Sequence, residues 1–289
     1  MPSDLEFSWF KKKVKDLTGV NLDSYRPQQM QRILEKVLDK TGRRNYVDLV
    51  KYLQEKPAHI QEFRDAITIN VSSLFRDKSR WDELNSRFTQ AVDARLRDPR
   101  RSQRRRTVRV WSAGCSIGAE PYTLAILLHE MNVAMAPDSF PFTVLATDLD
   151  RAMLSRAREG IYTDRETREV PATLMKRYFK TVDRPASDWA RNSPGDRFYE
   201  VAPALKEHVD FRQHNLLEDA WEQGYDLIVC RNVIIYFTNE TKLVLFQKFS
   251  DALCDNGLLF IGGTEIVFRH ERFNLESVGT GIYRKASPR

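Results

Sequence analysis

The sequence has few cysteines and no long apolar segment. Its three cysteines, Cys115, Cys230 and Cys254, are odd in number and lack the close spacing of disulfide frameworks or metal sites, which suits a reducing compartment. The longest apolar runs, such as residues 258–261, are far shorter than the roughly 20 residues of a membrane helix. We therefore expect no membrane insertion. The N-terminal region has no cleavable hydrophobic segment, so we expect a cytoplasmic protein.

Glycine and proline are also scarce, with 12 of each, which excludes a fibrous or low-complexity chain. Hydrophobic residues make up 42% of the sequence and aromatic residues 11%, enough to fill hydrophobic cores. The five histidines do not cluster, and we predict no metal site. The 289 residues are about twice the length of a common single domain, so two packed units are expected.

The positive charge of the chain lies in one short segment. Residues 95–106 contain seven arginines and one aspartate, a net charge equal to the +6 of the whole chain, so the remaining residues sum to zero. Proteins that bind nucleic acids carry a broad basic face. We therefore expect no nucleic-acid partner and interpret this segment as a solvated linker.

Residues 1–69 are predicted to form an all-helical domain. Two amphipathic segments, about 46–53 and about 60–67, follow two earlier ones with apolar residues at helical spacing. Those apolar residues are Phe7, Phe10, Val14 and Leu17 in the first segment, and Met30, Ile33, Leu34, Val37 and Leu38 in the second. Residues 70–107 are predicted to form an interdomain segment with one more helix, which Pro99 would break.

Strands and helices alternate in residues 108–289. Five short β-type runs occur, mostly separated by helical stretches, and they are 108–111, 142–146, 209–211, 225–229 and 258–261. This alternation predicts an α/β domain with a doubly wound, mostly parallel sheet covered on both faces. A stretch from about 177 to 205 interrupts it with three prolines between short aromatic segments. We predict a small β insert there.

Polar residues follow four of the predicted strands. Residues 112–119 form a loop of small residues, whose glycine spacing matches neither the dinucleotide fingerprint nor the P-loop. Asp148 can accept hydrogen bonds from ribose hydroxyls, while Asp150 is better placed as a helix cap. Residues 214–215 and 231–232 follow the next two strands. Taken singly, the loop is explained equally well by a tight strand-to-helix turn, and Asp148 by a helix cap. Four strand ends with polar residues at the same sheet edge, however, predict a ligand site.

Five blocks of sequence carry a family resemblance. They read TINVSSLFRD at 68–77, SAGCSIGAEPYTLAI at 112–126, ATDLD at 146–150, HNLLE at 214–218 and CRNVIIYF at 230–237. In this order they resemble the signature blocks of the CheR family, the S-adenosylmethionine-dependent glutamate methyltransferases of chemotaxis receptors. The resemblance implies a class I S-adenosylmethionine methyltransferase fold, with an all-helical N-terminal domain that docks on the receptor.

The resemblance also implies ligands and roles. The cofactor would be S-adenosylmethionine, with S-adenosylhomocysteine as product, and the partner the cytoplasmic signalling domain of chemotaxis receptors. We expect a monomer. Arg76 and Tyr236 would be catalytic residues near the transferred methyl, Glu120 would hold the cofactor's amino group and Asp148 its ribose hydroxyls. The implied cofactor-binding residues are Asn70, Ser72, Arg76, Gly114, Glu120, Asp148, Asn215, Leu216, Asn232 and Val233.

Three positions depart from the family pattern. Threonine is usual at positions 72 and 117 and glutamate at 119, where this chain has Ser72, Ile117 and Ala119. Ser72 keeps a hydroxyl group, so we expect the chain to be active. The changes at 117 and 119 are interpreted as positions that can alter cofactor affinity.

Two rival functions fit parts of the sequence. A nucleic-acid methyltransferase would suit the arginine run. Enzymes of that kind that methylate exocyclic amines place Asn or Asp before Pro-Pro-aromatic, whereas residues 232–235 read Asn-Val-Ile-Ile. A cofactor-binding adaptor without turnover is the second rival, and the presence of Arg76 and Tyr236 argues against it.

A basic helix is predicted in the N-terminal domain. Its cations, on the helix and just after it, are Arg32, Lys36, Lys40, Arg43 and Arg44. Such a helix would attract a receptor helix bundle that bears glutamates. A solvated surface helix is the alternative.

Overall fold

The computed structural model describes residues 4–67, 72–97, 107–137, 139–191, 193, 195–263 and 265–286. Its N-terminal part is helical, as predicted. The helices are α1 (Asp4–Thr18), α2 (Pro27–Thr41), α3 (Tyr46–Glu55) and α4 (Pro57–Ile67), and α5 (Lys78–Leu96) follows the interdomain segment. The first four share one hydrophobic core, in which Phe10, Leu34, Leu49 and Phe63 are fully buried.

Local sequence explains where these helices begin and end. Pro27 and Pro57 occupy the first positions of α2 and α4, where the missing N–H costs nothing. Gly42 ends α2 in the left-handed conformation, with φ at 65°, and its N–H bonds back to the last turn. The side chain of Asn45 caps α3 by accepting a hydrogen bond from the N–H of Asp48 at 2.8 Å.

The α/β domain is built on one seven-stranded sheet. Its elements are β1 (Val108–Ala113), α6 (Ala119–Ala134), β2 (Phe142–Asp148), α7 (Arg151–Glu159), β6 (Val209–Gln213), β7 (Tyr225–Cys230), α11 (Asn239–Ala252), β8 (Leu253–Ile261), β9 (Leu275–Gly279) and β10 (Ile282–Lys285). The strand order is β6-β2-β1-β7-β8-β10-β9. The first five are parallel, whereas β10 is antiparallel to both of its neighbours. This is the mostly parallel sheet that the sequence predicts.

Side chains of the central strand alternate between two hydrophobic cores. Val108 and Val110 of β1 pack on one face of the sheet, with α5 and α6. Trp111 and Ala113 pack on the other face, with α11. Both faces are therefore covered, and the carboxyl ends of β2, β1 and β7 lie side by side at one edge.

The predicted β insert is present and starts earlier than the sequence indicates. Its elements are β3 (Ile161–Thr163), α8 (Ala172–Tyr178), β4 (Phe179–Val182), α9 (Asp188–Arg191), β5 (Phe198–Val201) and α10 (Pro203–Lys206). The strands form an antiparallel sheet in the order β3-β5-β4. The predicted bounds of about 177–205 contain β4 and β5 but exclude β3. A three-residue strand directly after Gly160 has too few residues to produce a recognisable alternation.

Two features predicted from composition can be compared with the described part of the chain. None of its helices has the length and apolar character needed to cross a membrane. Cys115, Cys230 and Cys254 are free thiols, and the first two are buried. Pro99 and most of the arginine segment, residues 98–106, lie outside the described residues.

Candidate functional site

A pocket lies where the helical domain meets the carboxyl edge of the parallel strands. It encloses about 1130 Å³, including the part open to solvent. Tyr25, Ile33 and Ile67 of the helical domain form one wall, and the loops after β1, β2, β6 and β7 form the other. The predicted site residues that line it are Ser72, Arg76, Gly114, Glu120, Asp148, Asn215, Leu216, Asn232, Val233 and Tyr236. Asn70 lies outside the described residues.

Backbone hydrogen bonds hold Asp148 at the end of β2. The N–H of Ser116 donates to Oδ2 at 2.8 Å, and the N–H of Asp150 donates to Oδ1 at 2.9 Å. A carboxylate can accept about four hydrogen bonds, so Asp148 can accept more from a ligand. Burial raises the pKa of Asp148 to about 6. Asp150 caps α7 through the N–H of Met153 at 3.0 Å, as the sequence indicates.

Glu120 lies in the first turn of α6 and faces the pocket. The hydroxyl of Ser112 donates a hydrogen bond to its Oε1 at 2.7 Å. Burial raises the pKa of Glu120 to about 7, although the nearby cation of Arg231 acts in the opposite direction. Within the described ranges, no cation forms an ion pair with Glu120. A ligand with a positive charge would supply this missing partner.

The loop after β1 approaches the residues after β7 closely. Gly114 has φ at 84°, and its N–H and that of Cys115 both donate to the carbonyl of Thr147, at 2.8 and 2.9 Å. A Cβ atom at Gly114 would lie 2.5 Å from Cγ2 of Val233. The small residue is therefore needed both for the backbone conformation and for the position of Val233.

The Gly114→Ala variant is expected to bind S-adenosylhomocysteine about tenfold more weakly, because Val233 must move out of the pocket wall. Gly195→Ala is the matched control, since Gly195 also has φ at 84° but no described atom within 4 Å of an added Cβ. Both variants should lose about 1 kcal/mol of unfolding free energy through backbone strain. Thermal unfolding and titration calorimetry measure the two effects, and equal affinities of the two variants would contradict the expectation.

Arg231 fixes the segment that carries Arg76. The Arg231 side chain is 4% exposed, its Nη2 donates to Oδ2 of Asp77 at 2.7 Å, and its Nη1 donates to the carbonyl of Arg76 at 3.1 Å. The indole N–H of Trp81 donates to the same carbonyl at 3.0 Å. Phe75 and Asp77 have positive φ, 55° and 62°. These contacts hold a strained backbone around Arg76.

Tyr236 lies in the short 3-10 turn Ile234–Tyr236, which follows β7. Asn232, between β7 and this turn, has a strained backbone with φ at 59°. Burial raises the pKa of Tyr236, and the nearby cation of Arg76 lowers it. Arg76 and Tyr236 are therefore within electrostatic range of each other. Glu265 is buried beside this turn, where its Oε2 accepts a hydrogen bond from the N–H of Gly262 at 2.8 Å.

Sequence reasoning assigns no role to Tyr25 or Glu265, and it names Arg231 only as one of the polar residues that follow β7. Glu265 follows β8, a fifth strand end at the same sheet edge, and this position was a usable signal. Arg231 lies next to Asn232 in a block already recognised. No local pattern identifies Tyr25, because its place in the pocket depends on how the helical domain packs against the sheet.

Two family models match most of the chain. The one described as "CheR methyltransferase, all-alpha domain" matches residues 5–68, and "CheR methyltransferase, SAM binding domain" matches residues 70–282. The chain belongs to the CheR methyltransferase family. This membership confirms the recognition made from the five sequence blocks and the class I S-adenosylmethionine methyltransferase fold.

Several CheR relatives are chemotaxis protein methyltransferases. The protein of that name from Listeria monocytogenes is 37% identical over 287 residues, which cover 99% of this chain and 100% of the relative. The relative from Borreliella burgdorferi is 31% identical and covers 97% of this chain and 94% of its own. Chemotaxis protein methyltransferase 2 of Pseudomonas aeruginosa is 32% identical, with coverage of 97% and 93%.

One solved structure that resembles the chain is PKMT2 from Rickettsia typhi in complex with AdoHcy. Its sequence identity is 16% and its TM-score 0.32, over 54% of this chain and 21% of that one.

The pocket fits the cofactor of the CheR family, S-adenosylmethionine. The matched domain is a SAM binding domain, and the chain is a SAM-dependent methyltransferase. S-adenosylmethionine carries an ammonium group and a ribose diol. The pocket offers Glu120, a partly buried carboxylate without a described cation in direct contact, and Asp148, whose carboxylate can accept further hydrogen bonds. The ammonium and ribose hydroxyl groups of the cofactor are hydrogen-bond donors, and the two carboxylates of the pocket are acceptors that match them.

The departures from the CheR pattern lie in different places. Ser72 lines the pocket. Ile117 and Ala119 are buried in the hydrophobic core between the sheet and its helices, and neither belongs to the pocket wall. Their side chains pack in the core, so the prediction that they alter cofactor affinity requires an effect through the loop after β1 and the start of α6.

Proposed function

We propose that this chain transfers a methyl group from S-adenosylmethionine to glutamate side-chain carboxylates of methyl-accepting chemotaxis receptors, on their cytoplasmic signalling domains, forming glutamate methyl esters. The observation that carries the proposal is the placement of Arg76 and Tyr236, a cation and a phenol, in the wall of the cofactor pocket. These groups suit an incoming carboxylate. The names of the relatives support a chemotaxis protein as the substrate.

The cofactor contacts are assigned from the chemistry of the pocket. We assign Glu120 to the amino group and Asp148 to the ribose hydroxyls. Asn215 and Leu216, at the end of β6, are assigned to the adenine. The remaining wall residues complete the enclosure, and they are Ser72, Gly114, Asn232 and Val233.

Positioning accounts for most of the proposed catalysis. When bound, S-adenosylmethionine supplies an electrophilic sulfonium methyl group and leaves as S-adenosylhomocysteine. The substrate glutamate, with a pKa of about 4.3, is already ionised at neutral pH, so methyl transfer to it needs no general base. The guanidinium of Arg76 attracts and orients the substrate carboxylate, and the hydroxyl of Tyr236 donates a hydrogen bond to it. Proximity and orientation can contribute up to about 7–11 kcal/mol.

The contact with Arg76 must be loose. A tight bidentate pair would stabilise the substrate carboxylate before the reaction and reduce its nucleophilicity. Arg76 is partly buried, and its backbone is held by Trp81 and Arg231. The fixed backbone places the guanidinium in the pocket wall.

The predicted basic helix lies directly over the pocket. Ile33 on the buried face of α2 lines the pocket wall. Arg32, Lys36 and Lys40 lie four residues apart on its exposed side, interspersed with two exposed acidic residues. A receptor helix that bears glutamates would be attracted by these cations, which raises the rate of encounter at low salt.

Incubation of the chain with S-adenosylmethionine labelled in its methyl group and receptor-containing membranes tests the proposal. We expect label on the receptor that base releases as methanol, as an ester requires. Membranes without the receptor are the control. Base-stable label on added RNA or DNA would favour a nucleic-acid methyltransferase, and no label on any of them would favour an adaptor without turnover.

A further inference from the structure

A short stretch of the helical domain pairs with the turn that carries Tyr236. This bridge segment, residues 24–26, is the last part of the connection between α1 and α2. The N–H of Arg26 donates to the carbonyl of Tyr236 at 2.9 Å, and the N–H of Thr238 donates to the carbonyl of Ser24 at 2.9 Å. Together they form an antiparallel β-bridge between Tyr25 and Phe237. The two domains are thus joined by backbone hydrogen bonds at the proposed catalytic residue.

The side chains of the bridge reinforce the backbone contact. The rings of Tyr25 and Phe237 meet edge to face, with centroids 5.2 Å apart. Tyr25 also lines the cofactor pocket. Burial, and then the charge of Asp148, raises the pKa of Tyr25 to about 12, so its hydroxyl stays neutral beside that carboxylate. The bridge segment therefore touches both the pocket wall and the Tyr236 turn.

The turn around Tyr236 has limited support of its own. Ile234–Tyr236 is a single 3-10 turn, and α11 begins only at Asn239. The N–H of Tyr236 bonds to the carbonyl of Val233 at 3.3 Å, and the N–H of Phe237 bonds to the carbonyl of Ile234 at 3.1 Å. A shift of about 1 Å in a reacting group can lower the rate about a hundredfold. Contacts from outside the turn therefore matter for its position.

We propose that the bridge segment of the helical domain is a positioning element for Tyr236. This role rests on the proposed part of Tyr236 in methyl transfer. The helical domain then does more than present a docking surface, because it also fixes the backbone of a residue that contacts the substrate carboxylate.

Proline at position 26 tests the bridge with little strain elsewhere. Arg26 has φ at −60° and ψ at 132°, and Tyr25 before it has φ at −101° and ψ at 149°. Both conformations suit a proline at 26. Arg26→Pro removes the N–H that donates to Tyr236 and places a ring carbon against that carbonyl. Arg26→Ala removes the same side chain and keeps the N–H, so the difference between the two variants measures the bridge.

Amide hydrogen exchange measures the opening of the bridge hydrogen bonds without any activity assay. In the ligand-free full chain, we measure the peptide that covers residues 233–240. The amide of Thr238 should exchange about tenfold faster in Arg26→Pro than in Arg26→Ala, because its hydrogen bond to the carbonyl of Ser24 opens. Equal exchange in the two variants would overturn the proposal. If the wild-type chain methylates no receptor, the proposed function fails, and this measurement still decides whether the bridge holds the turn.

Kinetics then show whether the bridge acts through Tyr236. We expect kcat for receptor methylation to be about tenfold lower in Arg26→Pro than in Arg26→Ala, with KM for the receptor within about twofold. In a Tyr236→Phe background the same comparison should give less than about a twofold difference, because the group being positioned is gone. An equal loss in both backgrounds, or none in either, would overturn the proposal.

A second variant covers the case in which Arg26→Pro does not fold. Tyr25→Ala removes the ring contact with Phe237 and leaves both backbone hydrogen bonds possible. It should raise exchange at residues 236–238 and lower kcat in the wild-type background but not in Tyr236→Phe. A loss of kcat that is the same in both backgrounds would again overturn the positioning role.

Discussion

The Glu120→Gln variant is expected to bind S-adenosylhomocysteine about a hundredfold more weakly than the wild-type chain at pH 8, which corresponds to about 2.7 kcal/mol. Glu120 is assigned to the cofactor's amino group, and among the described residues its carboxylate accepts a side-chain hydrogen bond only from the hydroxyl of Ser112, at 2.7 Å. Glutamine keeps the size and a hydrogen-bond acceptor but removes the charge that attracts the ammonium. Removing one partner of a buried charge pair commonly costs about 2–5 kcal/mol.

The same residue makes cofactor affinity depend on pH. Burial raises the pKa of Glu120 to about 7, so near that pH half of the ligand-free chains carry a neutral carboxyl group that must ionise to pair. Affinity should therefore rise with pH up to about 7 and level off above it, with the release of about half a proton per ligand at pH 7. Glu120→Gln should lack this dependence between pH 6.5 and 8.5.

The contribution of Glu120 to folding stability should fall with rising pH, whereas its contribution to cofactor affinity rises. The pKa of Glu120 in the ligand-free folded chain, about 7, lies above its ordinary value of 4.5, so the fold favours the neutral form. The contribution of Glu120 to the unfolding free energy of the wild-type chain thus falls as pH rises from about 4.5 through 7. Glu120→Gln, neutral throughout, should be more stable at pH 8 by about 1–3 kcal/mol.

Calorimetry in buffers of different ionisation enthalpy, together with thermal unfolding, measures all three effects. Glu130→Gln is the matched control, because Glu130 lies on the same helix but bonds to Arg177 outside the pocket. Its affinity for S-adenosylhomocysteine should equal that of the wild type. Wild-type affinity that stays constant from pH 6 to 8 would show that Glu120 does not pair with the ligand.

Replacing Arg76 with alanine should lower kcat for receptor methylation about a hundredfold, with a smaller change of about threefold in KM. The guanidinium is the cation proposed to orient the substrate carboxylate. Arg76→Lys keeps the charge but loses the planar donor array, so an intermediate kcat is expected. Affinity for S-adenosylhomocysteine should fall by less than about tenfold, because the ligand retains its contacts with Glu120 and Asp148.

Arg80→Ala is the control for Arg76. Arg80 lies in the first turn of α5, pairs with Glu83 at 3.4 Å and does not belong to the pocket wall. It should retain wild-type kcat. If Arg76→Ala lowers ligand affinity and kcat by the same factor, Arg76 serves cofactor binding, and the orienting role is wrong.

The sheet and half of the pocket could be predicted because their signals are local. Buried strands appear as short apolar runs, and the polar residues that end them fall at one edge whenever the strands are parallel. Asp148 and Gly114 were therefore identifiable from sequence alone. The capping role of Asp150 was equally readable, because a cap and its partner are separated by only three residues.

The other wall of the pocket could not be predicted because it depends on long-range packing. Tyr25 meets Phe237 across more than two hundred residues, and neither lies in a pattern that specifies the other. Ile33 appeared only as one apolar residue of an amphipathic helix. Glu265 is not among the predicted site residues, although it follows β8 and so lies at the same sheet edge as the polar residues after the other parallel strands. The missing parts were thus mainly contacts between domains.

The bridge between residues 24–26 and 236–238 has a consequence for chimaeric proteins. If the helical domain of one relative is grafted onto the catalytic domain of another to change receptor choice, the two halves of this bridge come from different parents. Where the parents differ at position 25 or 237, the recombinant loses the ring contact and is expected to turn over slowly even when both parent domains fold. Transplanting residues 236–238 together with the helical domain keeps the native pairing, so the exchangeable unit extends beyond the domain boundary.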